Sequence, residues 1–129
     1  MAGAIGAAGL VFLPHDADEA GLGLFEAVKN APDGVYAIGV IQDQNGEAPG
    51  KVLTSATMFI GGSMKLTVQR YLEGGLAAEC YKFGVKEGVV GLSDYHECAN
   101  VLTDDQKAYV KGVVDKIASG EIQVKSAQQ

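Results

Sequence analysis

Val35-Tyr36-Ala37-Ile38-Gly39-Val40-Ile41-Gln42-Asp43-Gln44 is the stretch whose reading decides the fold. From Val35 to Ile41 every residue is apolar or glycine, with no alternation, which is the pattern of a strand buried on both faces of a parallel sheet. The run stops abruptly at Gln42-Asp43-Gln44. Polar side chains therefore follow the carboxyl end of a central strand, the edge at which open α/β sheets bind ligands.

On the amino side, Gly9-Leu10-Val11-Phe12-Leu13 reads as a first short buried strand ended by Pro14. His15-Asp16-Ala17-Asp18-Glu19 forms an acidic turn, with Asp16 and Glu19 spaced as the N-cap and N3 of a capping box. The helix that follows is expected to run to about Ala31 and to bury Leu24, Phe25 and Val28. Asn30-Ala31-Pro32 is its stop, because asparagine tolerates a left-handed cap and proline blocks continuation. Asp33-Gly34 turns the chain into the central strand and completes a right-handed βαβ unit.

On the carboxyl side, a Gly- and Pro-containing loop at Asn45 to Gly50 leads into a further strand at Lys51 to Ala56. A second helix is expected from about Phe59 to Glu73, with Ile60, Met64, Val68, Tyr71 and Leu72 at helical spacing. Gly61-Gly62 weakens its first turn by about 1 kcal/mol per glycine relative to alanine, so either something packs closely there or the turn frays. Residues 79–85 and 88–92 read as an edge hairpin. Thr103 and Gln106 form a capping box for a third helix, Asp104 to about Ser119, burying Tyr109, Val110, Val113, Val114 and Ile117. Gly120 closes it, and Ile122-Gln123-Val124 is a candidate edge strand. The expectation is a single α/β domain over residues 1–129, a three-layer, mostly parallel sheet with helices on both faces, with residues 1–8 and 125–129 loose.

A chain of 129 residues can bury roughly two-thirds of its unfolded surface without disulfides or metals. Its net charge of -6, with ten scattered basic residues, argues against a nucleic-acid partner, because that affinity comes from clustered Lys and Arg. The apolar opening, Met1 to Leu13, lacks the positive start of a secretion signal and is too short to span a bilayer, so no direct membrane insertion is expected. Cys80 and Cys98 are either one disulfide or two free, partly buried thiols, and their spacing fits no metal or redox motif. His96-Glu97-Cys98 has the letters of a metal or thiol site without a second histidine or cysteine nearby, and His15 lies in another turn. Gly21-Leu22-Gly23 lacks the third glycine of a dinucleotide fingerprint and falls inside a helix. The reading is no enzyme, with no catalytic residues, cofactor or metal.

Several separate motifs carry a family resemblance. Tyr36-Ala37-Ile38-Gly39-Val40, Asp43-Gln44, Pro49-Gly50-Lys51-Val52-Leu53-Thr54-Ser55, Gly84-Val85-Lys86-Glu87-Gly88 with Val90-Gly91-Leu92, and Ile117-Ala118-Ser119-Gly120-Glu121-Ile122 resemble the basic membrane protein family. These are purine-nucleoside-receptor-like, substrate-binding lipoproteins of ABC uptake systems. The resemblance covers most of residues 9–124 and implies half of a type I periplasmic-binding-protein-like fold. It also implies a nucleoside or other small solute as ligand, an ABC permease as partner of a full receptor, and an extracytoplasmic, membrane-anchored location. This chain opens with no signal and no lipidation cysteine, and it resembles only the C-terminal portion of a receptor more than twice as long.

Carried over residue by residue, the resemblance implies ligand-binding roles for Asp43, Gln44 and Lys86. It also shows two departures. Ile41 stands where the family has the aspartate that meets the ligand sugar, and Met58 where it has a lysine near the ligand. In the family fold the helix from Phe59 would belong to the other lobe, most of which is missing. Ile41, Met58, Phe59 and Ile60 are therefore candidates for an apolar interface in a homo-oligomer, or else Ile41 and Met58 are core positions of a rearranged fold. Two readings follow: a non-catalytic nucleoside-like binding protein with a degraded site, or a self-associating scaffold domain without a ligand.

Overall fold

The computed structural model describes the backbone of residues 11–14 and residues 21–124. In chain order these form β1 (Val11–Pro14), α1 (Leu22–Lys29), β2 (Val35–Ile41), β3 (Val52–Met58), α2 (Ile60–Leu72), β4 (Val90–Leu92) and α3 (Asp104–Ser119). Single 3-10 turns stand at Asn45–Glu47 and His96–Cys98. The strands make one sheet in the order β1-β2-β3-β4, with β1 parallel to β2 and β2 parallel to β3. The α/β reading and the three strands placed from the apolar runs are therefore found. The capping box expected at Asp16 and Glu19, His15, and the ends 1–8 and 125–129 lie outside the described residues.

The chain divides into two compact units. Unit 1 holds Met1–Thr57 with Leu92–Leu102, and unit 2 holds Met58–Gly91 with Thr103–Gln129. The backbone passes from one to the other after Thr57, after Gly91 and after Leu102.

In unit 1, Phe25 and Val28 of α1 are buried against Ala37 of β2, Ala48 and Val52, with Leu24 packed beside them. This is the stripe that helical spacing selects. The helix stop differs from the expectation. Asn30 has φ −95° and not a left-handed cap; its side-chain amide instead donates to the Glu26 carbonyl at 2.9 Å. Lys51 Nζ then donates to the Ala31 and Pro32 carbonyls, each at 3.1 Å, and ties the α1–β2 connection to the start of β3. The return from β2 to a parallel β3 is short because Val52 already pairs with Ala37, the third residue of β2, with an irregularity after it.

In unit 2 the predicted boundaries hold better than the predicted burial. Phe59 caps α2, and its ring lies over Gly61 and Gly62: a Cβ on Gly62 would stand 2.5 Å from Phe59 Cδ1. That ring is the close-packing group the two glycines called for. Yet no residue of α2 or α3 is buried, and Met64, Val68, Leu72 and Tyr109 stay more than half exposed. An amphipathic stripe fixes a helix, not the presence of its cover: the α2 stripe finds none among the described residues, while Val110, Val113, Val114 and Ile117 of α3 are half-buried. The Thr103–Gln106 capping box forms in both directions, and Gly120 closes α3 at φ 81°. The hairpin does not form: only Val90–Leu92 is a strand, while 81–84 has no regular structure and the chain turns at 85–88, with the Gly84 N–H donating to Glu87 Oε2 at 2.8 Å. Ile122–Val124 is likewise no strand. Both cysteines are free, Cys98 buried and Cys80 exposed.

Candidate solute site

The polar groups that converge in unit 1 do so where β2 ends. Ile41 has φ 70°, a left-handed conformation that a β-branched side chain adopts at a cost of about 1–2 kcal/mol. The kink lets the Gln42 N–H donate back to the Val40 carbonyl at 2.8 Å and turns Asp43 and Gln44 off the strand line. Gln44 folds inward: its Oε1 accepts from the Val40 N–H at 2.8 Å, and its own N–H donates to Ser55 Oγ at 3.1 Å. Gly39 makes room for this clamp. A Cβ there would overlap Ser55 Oγ and lie 2.9 Å from Gln44 Oε1.

Asp43 stays outward, 42% exposed at the side chain. Its Oδ1 accepts the Asn45 N–H at 3.1 Å, and its Oδ2 pairs with His96 Nε2 at 2.6 Å. The histidine is brought from 53 residues away by the segment 92–102, which is fastened to β3 through Ser93. The Ser93 N–H donates to the Ser55 carbonyl at 2.9 Å, the Ser55 N–H donates to Ser93 Oγ at 2.9 Å, and the Thr54 hydroxyl donates to the Ser93 carbonyl at 2.9 Å. Buried Cys98 anchors the far side of the same segment. His96 itself sits at φ 45°, so the ion pair is flanked by two left-handed, non-glycine residues. Backbone strain of this kind persists where the surroundings over-determine it, and it concentrates at functional sites.

The electrostatics follow the contacts. The His96 hydrogen bond, helped by the Asn45 N–H, holds the Asp43 carboxyl below its ordinary range against the opposing effect of burial. The same bond to Asp43 raises His96, and the charges of Asp43, Asp94 and Glu97 add to it. Glu97 is lowered by its own backbone N–H and by the Asn45 side chain, while burial pushes the Cys98 thiol up. Asn45 Oδ1 is buried with no hydrogen-bond partner. Among the described residues no three His, Cys, Asp or Glu side chains gather as a metal site.

Of the residues singled out from the sequence, Asp43 and Gln44 thus stand side by side in unit 1, the first facing out and the second turned into the fold. Ile41, 44% exposed, belongs to the same strand end. Lys86 lies in unit 2, exposed in the 85–88 turn, and Met58, Phe59 and Ile60 are in unit 2 with more than half of each exposed. Unit 2 also holds a cavity of about 640 Å³ lined by Met58, Met64, Val68, Phe83 and Val89. Its hydroxyls serve the local fold: Ser63 donates to the Ile60 carbonyl and Thr67 to the Ser63 carbonyl. Ser55, Ser93 and His96 were missed by sequence reasoning. His96 was weighed only against metal and thiol partners, and no local spacing shows a carboxylate 53 positions away.

A family profile described as ABC transporter substrate-binding protein PnrA-like matches residues 8–128. Basic membrane protein B of Borreliella afzelii (strain PKo) is 33% identical, over 100% of this chain and 36% of its own length. Basic membrane protein B of Borrelia garinii subsp. bavariensis is 35% identical, over 90% of this chain and 32% of its own. The chain therefore spans about a third of the curated relatives it matches. Among solved structures, an ABC transporter solute-binding protein from Aeropyrum pernix K1 superimposes with TM-score 0.71 at 20% identity, covering 92% of this chain and 41% of that one. A transcriptional activator of the comK gene from Bacillus halodurans gives TM-score 0.73 at 21% identity, covering 88% and 38%.

Proposed function

The chain belongs to the PnrA-like family of ABC transporter substrate-binding proteins, and we propose that it binds a nucleoside-like small solute, without catalysis, at the carboxyl end of β2. Members of this family bind solutes for uptake, and the fold is half of a periplasmic-binding-protein-like architecture. The observation that carries the reading is the Asp43–His96 pair, held at the strand edge by the Ser93 fastening. Asp43 supplies the site's carboxylate and Gln44 fixes the turn that presents it; the solute-binding role that the resemblance implies for Lys86 is proposed separately, within unit 2. An ABC permease is the partner when such a module works in a whole receptor.

Affinity is expected to be low. Ile41 and Met58 take the places of two polar groups of the family pattern, and losing such a contact costs about 1–3 kcal/mol each, together about a hundredfold or more in affinity. The exposure of Met58, Phe59 and Ile60 in unit 2 supports a second reading, a self-associating scaffold that covers these side chains with a second copy of the chain.

Melting curves of the purified protein with millimolar purine and pyrimidine nucleosides, alongside molar mass by light scattering, separate the two. A rise of several degrees with one nucleoside class supports the solute reading, since a ligand bound only to the native state must stabilise it. A dimer mass with no shift supports the scaffold. Ile41→Asp sharpens the contrast: it strengthens solute binding under the first reading and breaks the dimer under the second.

A further inference from the structure

We propose that His96 is the residue that meets the solute at this edge, through Nδ1, and that Asp43 acts through it as a positioning residue. The inference rests on the solute-binding reading above and refines Asp43's part in it. Both oxygens of Asp43 are already engaged, Oδ1 by the Asn45 N–H at 3.1 Å and Oδ2 by His96 Nε2 at 2.6 Å. A carboxylate accepts and does not donate, so the proton of this bond sits on Nε2 of the imidazole. That leaves Nδ1 as the ring's remaining polar atom, and among the described residues it makes no hydrogen bond. The side chain is 36% exposed, so part of the ring stands open to solvent.

The ring is built into place. Its backbone sits at φ 45°, Ser93 fastens the segment three residues before it to β3, and Cys98 is buried two residues after it. A group positioned on both sides loses little freedom on binding, which is what a recognition contact needs.

The charge on the ring sets the class of solute. Asp43 from the β2 end, with Asp94 and Glu97 from the histidine's own segment, favour the imidazolium, so Nδ1 keeps its proton to a higher pH than in an ordinary histidine. It is then a donor and asks for an acceptor. Three carboxylates around one imidazolium leave the surroundings net negative, which disfavours an anionic solute. The geometry selects a neutral solute that offers a carbonyl oxygen or a ring nitrogen. When the ring loses its second proton, Nδ1 becomes an acceptor and the contact is lost, so binding weakens as pH rises through the histidine's titration.

The test uses the whole chain with inosine as probe, reading the ring nitrogens of His96 by long-range proton–nitrogen NMR; the other histidine, His15, is removed as His15→Gln. In the free protein Nε2 is expected to stay protonated while Nδ1 titrates, with the midpoint falling in Asp43→Asn. Millimolar inosine should then shift the Nδ1 resonance. His96→Asn should weaken inosine binding about tenfold and Asp43→Asn severalfold, and the pH dependence of affinity should disappear in His96→Asn and move to lower pH in Asp43→Asn. An Nδ1 resonance unmoved by inosine that demonstrably binds would overturn the contact, as would an unchanged titration midpoint in Asp43→Asn. A ring that titrates as described in a protein that binds no inosine at any pH would instead remove the solute-binding reading, and the contact with it.

Discussion

Gly39→Ala is the substitution whose cost the structure fixes most tightly. The added methyl would overlap Ser55 Oγ and stand 2.9 and 3.0 Å from Gln44 Oε1 and Cβ, where ordinary contact begins at 3.4 Å. Ser55 and Gly39 are both buried between neighbouring strands, and Gly39 pairs with Ser55 in the sheet, so neither backbone can retreat without breaking register. Overpacking of this kind costs about 1–3 kcal/mol. If Gln44 swings away instead, the Val40 N–H loses its acceptor, at a similar cost of about 1–3 kcal/mol. By either route the expected loss is about 1–3 kcal/mol, which at about 3–5 °C per kcal/mol for a chain of this size lowers Tm by roughly 3–15 °C. Ser55→Ala in the Gly39→Ala background removes the hydroxyl in the way and should recover part of the loss, as a coupling of at least about 0.5 kcal/mol in a double-mutant cycle. Gly23→Ala is the control: nothing lies within 4 Å of its Cβ position in α1, so it should raise stability by about 0.5–1 kcal/mol. A Gly39→Ala protein melting within about 2 °C of the parent would refute the clamp.

Relief of the left-handed backbone makes Ile41→Asn neutral or stabilising by up to about 1 kcal/mol by denaturant titration, whereas an ordinary strand position would lose stability along with a half-buried isoleucine. Because Asp43 is lowered and His96 raised, their pair holds segment 92–102 above the carboxyl's folded titration and below the histidine's. Amide exchange in that segment should therefore quicken as pH rises past the histidine, more than the intrinsic rate explains, and His96→Gln should abolish the excess. Under native conditions a thiol reagent should titrate Cys80 quickly and reach Cys98 only on unfolding, since one is exposed and the other buried with a raised pKa. One cooperative calorimetric transition is expected for the chain, because the division between its units falls inside β3 and β4.

The fold was legible wherever local periodicity carries it. The unbroken apolar run of β2, the stripe Leu24-Phe25-Val28 and the Thr103–Gln106 box each state their element in a handful of neighbouring residues, and each was found. The glycine pair at 61–62 even announced a close neighbour, which proved to be the ring two positions back. What escaped reading depends on distance or on cover. His96 finds Asp43 across 53 residues, and no spacing rule reports such a meeting. The strained φ of Ile41 is invisible because isoleucine is the residue least expected there. The stripes on α2 and α3 look the same in sequence whether or not anything lies over them. Alternation at 79–85 suggested a strand, but Tyr81 puts its hydroxyl on the Ala77 N–H and its ring beneath the Arg70 guanidinium, a local use that replaces a ladder.

The most direct test of solute binding at the end of β2 is a map of backbone amide shifts on adding inosine to the whole protein. The account predicts saturable shifts concentrated at Asp43, Asn45, Ser93 and His96. Shifts confined to the apolar cavity of unit 2, or none at any concentration reached, would contradict it.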